Sequence, residues 1–167
     1  MSPETLFDAL YQTSLAGLIR ENDLAFPVIE TVHVLAIALV VGSIAIVDLR
    51  LLGIASRERA YSRVAGDVLP VTWLAFAVAV LSGVLMFISN APTYAHNPYF
   101  RAKLVCLGLA GLNMAVFQGI TGRDCGRWDR SLPTPVPVRT AAVLSLLLWT
   151  LIVTAGRWIG FTMLAGY

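Results

Sequence analysis

Charge is scarce in this chain. Asp, Glu, Lys and Arg make up only 13% of 167 residues, where a soluble domain carries about a quarter. The hydrophobic share is 57%, and the mean hydropathy is +0.76. Histidine and cysteine are rarer still, at two of each. A zinc-type Cys/His cluster is therefore excluded, and a glycine-rich phosphate loop is absent. Cys106 falls in an apolar stretch and Cys125 in a loop, so no disulfide is expected between them. Ser43, Ser82 and Ser145 are expected to lack a base at matching depth, which argues against a buried hydrolase triad. Met1-Ser-Pro-Glu4 has neither a basic start nor a cleavable apolar core, so insertion is expected to use the first span. Long internal repeats and low-complexity runs are also missing.

Long apolar runs are what the chain has in plenty. Four of them, at about 26–47, 68–89, 102–121 and 136–158, can cross a hydrocarbon core about 30 Å thick. The loops are short, leaving no space for a soluble domain. The expected fold is an all-α, integral membrane four-helix bundle, one transmembrane domain over residues 1–167. Residues 3–19 read as one amphipathic interfacial helix, with Leu6, Leu10, Ala16 and Ile19 broadly on one side. Gly53 is placed to stop the first span, and Pro70 to open the second near a first helical turn. Trp73 marks one interface; Tyr94 and Tyr99 mark the other.

The basic residues are distributed unevenly. Arg50, Arg57, Arg59, Arg63, Arg123, Arg127, Arg130 and Arg139 fall on one side of the spans. Arg20, Arg101, Lys103 and Arg157 fall on the other. The positive-inside rule makes the first side cytoplasmic, so both termini are expected outside. This distribution explains the arginines without a nucleic-acid partner.

Within the first span lies Glu30-Thr-Val-His33, whose two ionisable side chains leave a helix about one turn apart. Ionisable groups inside a bilayer face a protein interior, a cofactor or a water-filled cavity. Lys103 at the start of span three and Arg157 near the end of span four fall at similar depth, where they can neutralise Glu30 or hold anionic groups of a ligand. Lys103, Cys106, Ala110, Asn113 and Phe117 recur at helical spacing on one face of span three, flanked by Gly108 and Gly111, as a close-packed helix pair requires. A neutral imidazole in such a bundle can ligate haem iron or another metal, with Glu30 orienting it. The alternative is a structural histidine bonded across helices, with Glu30 paired to Lys103 or Arg157. No second span contains a histidine; Met86 is the candidate second ligand, with Met114 deeper and His96 in a loop. Asn113 and Gln118 also read as interhelical hydrogen-bonders, and Asp48 with Arg50 as a structural pair.

Glu30-Thr-Val-His33, Gly42-Ser43 and Asp48-Leu-Arg50-Leu-Leu-Gly53 together resemble an uncharacterised bacterial four-span family, known mainly as a domain of unknown function. Lys103, Leu112-Asn113 and Gly156-Arg157 extend the likeness over nearly the whole chain. That resemblance implies a multi-pass protein of the bacterial inner membrane. A weaker similarity, of His33 and Lys103 alone, reaches the copper-resistance D family and the membrane-bound, haem-containing protoporphyrinogen oxidases. It would make His33 a haem ligand. Gln118 stands where those proteins are associated with a histidine, a departure from a bis-histidine haem.

The sequence thus leads to a small cytochrome-like protein. Its cofactor would be haem b held by His33, Glu30, Lys103, Arg157 and Asn113, and its work electron transfer with a periplasmic or membrane redox partner. The alternatives are a copper or other metal-handling protein using His33 and Met86, and a cofactor-free accessory subunit of a membrane complex. A homo-oligomer is compatible with either.

Overall fold

Four helices account for most of the chain. A computed structural model describes residues 3–164 and is 86% helical, with no strand among the described residues. Two short helices, α1 (Pro3–Tyr11) and α2 (Ser14–Glu21), precede the long α3 (Ala25–Leu51) and α4 (Tyr61–Ser89). A single turn, α5 (Ala91–His96), leads into α6 (Pro98–Val116). A π-helical turn (Phe117–Thr121), a 3-10 turn (Gly122–Asp124) and the short α7 (Cys125–Trp128) carry the chain to α8 (Val136–Leu164).

Helices α3, α4, α6 and α8 are long and apolar enough to cross a membrane. All three connections between successive spans reverse direction, so both termini lie at one end. There Asn97 Nδ2 donates to Thr162 Oγ1 at 2.8 Å, and an Arg20 guanidinium nitrogen donates to the Ser89 carbonyl at 3.2 Å. The opposite end, with the loops before α4 and α8, is the loop end.

Packing divides the bundle into two pairs. Helix α3 lies along α4, and α6 along α8; α3 and α8 join the pairs. The α4 surface against α3 repeats small residues, with Ala65, Thr72, Ala75, Ala79 and Ser82 all buried. Small side chains let two backbones approach in a bilayer, where packing drives association. In the second pair, Ala110 packs with Leu148 and Ile152, flanked by Cys106. Leu104, Leu109 and Val116 on the other side of α6 are exposed, as the sequence leads one to expect. Gly108 and Gly111 do not flank a tight contact, since a Cβ at either would meet nothing within 4 Å. Ala110 makes the close approach instead.

Three expected boundaries change. The N-terminal segment is two helices, because Thr13 caps α2 by accepting from the Ala16 backbone N–H at 3.3 Å. Helix α2 buries Ala16 and Ile19, and Phe7 of α1 meets Phe87 edge-on at 6.2 Å, so this segment folds onto the bundle end. Pro70 lies inside α4, which starts at Tyr61. Spanning helices tolerate an interior proline because neighbouring groups satisfy the backbone it frees. The stretch around His96, expected as a loop, contains the turn α5. Gly53 does stop α3: its φ is +71°, and the Gly53 and Ile54 N–H groups turn back to the Arg50 and Leu49 carbonyls.

Candidate functional site

His33 occupies the α3 stripe that faces α4, in the half of the bundle nearer the termini. Its Nδ1 lies 3.0 Å from Oγ of Ser82, a residue only 5% exposed. The Ser82 hydroxyl donates to the Val78 carbonyl at 2.7 Å. A hydroxyl has one proton to give. With that proton on Val78, the Ser82 oxygen accepts and His33 Nδ1 carries the hydrogen. The remaining nitrogen, Nε2, therefore keeps its lone pair.

Gly83 makes room for this arrangement. A Cβ built there would lie 3.0 Å from His33 Cε1. The imidazole is seated directly on the glycine backbone, and any side chain would move it. Lys103 approaches from α6: its charge reaches His33, and its Nζ lies 3.8 Å from where a Cβ on Gly156 would stand. Among the described residues no ion pair ties the Lys103 ammonium; the ion pair they contain, Arg59 with Asp67 at 3.8 Å, is at the loop end.

The other sequence candidates go elsewhere. Glu30 is exposed and lines a shallow surface cleft with Pro27, Thr31, Val34 and Leu35. It makes no ion pair with Lys103 or Arg157 among the described residues. Its charge is felt at Tyr94, whose phenol is pushed up first by burial and then by Glu30. Arg157 is exposed and lies over the Phe161 ring at 4.7 Å. Asn113 is deeper, donating to the Ala141 carbonyl at 3.0 Å, an interhelical tether of α6 to α8. Met86 is half-buried on α4, one turn beyond Gly83. His96 is exposed, its Nδ1 donating to the Pro92 carbonyl at 2.8 Å.

Contact between α4 and α6 is concentrated at the helix ends. Helices α4 and α6 make no extended contact along their lengths. Near the termini Phe87 of α4 stacks on Phe100 of α6 at 5.3 Å, joined by Tyr94. At the loop end Tyr61 meets Phe117 at 6.0 Å and Trp128 at 5.2 Å. Two aromatic clusters thus hold the helix ends together.

A family model described as a family of unknown function (DUF6644) matches residues 11–162. The chain belongs to that family. Nothing links it to the copper-resistance D or protoporphyrinogen oxidase families. Comparisons with curated proteins and with solved structures give no match.

Ser82 and Gly83 are the site residues that sequence reasoning missed. Contrary to expectation, Ser82 does have an imidazole at matching depth. A Ser-Gly step in an otherwise apolar stretch of α4, at the depth of His33, is the signal that points to them. The serine is not thereby a nucleophile, since its proton is directed at a backbone carbonyl rather than at the imidazole.

Proposed function

We propose that this protein is a small cytochrome-like carrier of the membrane, with haem b held by His33 Nε2. The observation behind this reading is the Ser82–His33 hydrogen bond, which fixes the tautomer and leaves one imidazole lone pair free. Metal-ligating histidines almost always donate their other ring N–H to a protein acceptor in this manner. The donor chemistry present suits the group: an imidazole seated on the Gly83 backbone, a half-buried thioether at Met86 on the next turn of α4, and a cation at Lys103 that could pair with its carboxylates. Haem, when bound, supplies a one-electron couple. This chain orients the ligating imidazole through Ser82, keeps it in apolar surroundings and offers an ammonium nearby.

The proposed setting is the bacterial inner membrane with both termini outside, so that electrons pass to a periplasmic or membrane redox partner. Expression with supplemented haem, followed by an optical spectrum and metal analysis of the purified protein, tests this. A Soret band with stoichiometric iron is expected. Copper without that band would instead assign the protein to metal handling, and neither would leave an accessory subunit.

A further inference from the structure

The loop end contains two buried polar side chains, each with an unpartnered atom. Asp48 on α3 is 6% exposed, and its Oδ2 has no hydrogen bond. Arg50 is 0% exposed, and its Nη1 likewise has no partner. They are not the pair that their spacing suggests, since no ion pair joins them among the described residues. Arg50 turns instead to backbone: its Nε donates to the Arg59 carbonyl at 2.6 Å and its Nη2 to the Asp129 carbonyl at 3.1 Å. Asp48 faces α8, where Ser145 hydrogen-bonds the carboxyl. An ionised carboxylate within a spanning helix, with one oxygen unpartnered and no ion pair to it among the described residues, is costly. A proton on that oxygen removes the charge.

Polar side chains lie between it and the loop end. Asp129 lies at the surface, its carboxylate accepting from the Ser62 N–H at 2.7 Å and the Ser62 hydroxyl at 2.8 Å. Tyr61, half-buried, is within electrostatic reach of both Asp129 and Asp48. Past Asp48, polar groups continue only as far as Thr72, which donates to Ser43 at 2.8 Å. Beyond them the buried side chains Ala36, Val40, Ala75 and Ala79 separate this half of the bundle from Ser82 and His33.

We propose that Asp48 is an exchangeable proton-binding site, loaded from the loop end past Tyr61 and closed towards the termini by that apolar layer. The step forms one O–H bond at Oδ2 with a proton from water and breaks the same bond on release; no electron moves. Arg50 lies two residues along on α3; Tyr61 on α4 feels the Asp48 charge and also those of Cys125 and Asp129, and α8 contributes uncharged Ser145, which bonds the carboxyl. This proposal is independent of the cofactor reading.

The test is infrared difference spectroscopy on the purified full-length protein between about pH 6 and pH 9, where exposed aspartates stay ionised. Spectra are taken unlabelled and with 13C-aspartate, in light and heavy water. A protonated-carboxyl band that moves with the label, moves in heavy water and is lost in Asp48→Asn is expected. Asparagine is neutral and nearly isosteric with the protonated acid, so the thermal midpoint should hold. If Asp48→Asn does not fold, Asp48→Glu decides, because its band must then ignore the aspartate label. No protonated-aspartate band in wild type, a band that survives in Asp48→Asn or keeps the aspartate label in Asp48→Glu, or one that never exchanges would overturn the proposal.

Discussion

His33 and Ser82 are 49 positions apart in sequence, and the 3.0 Å contact between Nδ1 and Oγ sets which imidazole nitrogen is free. Because the Ser82 proton is engaged by Val78, the relationship has a direction: histidine donates, serine accepts. Ser82→Ala removes the acceptor and frees the ring to rotate or change tautomer. Loss of such an outer partner costs about 10–100-fold in metal affinity. The expected result is weakened haem retention with the protein still folded, checked by haem titration of the apoprotein. Gly83→Ala acts on the same ring sterically and should shift the absorption spectrum, since its Cβ would stand 3.0 Å from Cε1. Unchanged affinity and spectrum in both variants would remove Ser82 and Gly83 from the site.

Membrane orientation follows from the arginines. Reporter fusions after Arg57 and after Arg130, both at the loop end, should report cytoplasm, and a fusion at the C-terminus the exterior. A cytoplasmic C-terminus would reverse the bundle and move the His33 half to the cytoplasmic leaflet.

Ala110 is 9% exposed and packed against Leu148 and Ile152. Enlarging it to leucine overfills the α6–α8 contact, at a cost of about 1–3 kcal/mol. A lower thermal midpoint in detergent is expected for Ala110→Leu, while Leu109→Ala on the exposed face should change little. Equal midpoints for wild type and Ala110→Leu would refute the assignment of that face.

Acid should loosen the loop end. The Asp129 carboxylate is held below its usual range, chiefly by the Ser62 backbone N–H, then by the Ser62 hydroxyl and the charges of Arg130 and Arg50. A lowered pKa contributes stability that is complete above the ordinary carboxylate range and is lost as pH falls through the lowered value. From about pH 7 to pH 3, the melting temperature of wild type should fall more steeply than that of Asp129→Asn. Parallel curves would mean that the Ser62–Asp129 contact does not contribute to stability.

Composition and periodicity made much of this architecture readable. Four apolar runs, the Gly53 stop and the inward face of Lys103, Cys106, Ala110 and Asn113 depend on spacing within one helix, which sequence displays directly. Contacts between helices do not. Arg50 reads as one more cytoplasmic arginine, yet it is wholly buried against two carbonyls because the loops before α4 and α8 fold over it. Glu30 and His33 share a helical face by number, but a turn of helix is enough to put one at the surface and the other against α4. Arg157, long and near a helix end, finds the Phe161 ring rather than the interior. The N-terminal break escapes a hydrophobicity reading because it depends on one capping hydroxyl at Thr13.

Haem ligation by His33 is decided by the optical spectrum and iron content of wild type beside those of His33→Ala, both expressed with supplemented haem. His33 is the histidine that the spans contain, and Nε2 is its free nitrogen. Wild type is expected to carry haem and His33→Ala to lose it, with both melting cooperatively in detergent. A His33→Ala protein with the wild-type spectrum would place the iron elsewhere, and a wild type without haem under these conditions would rule out a haem protein.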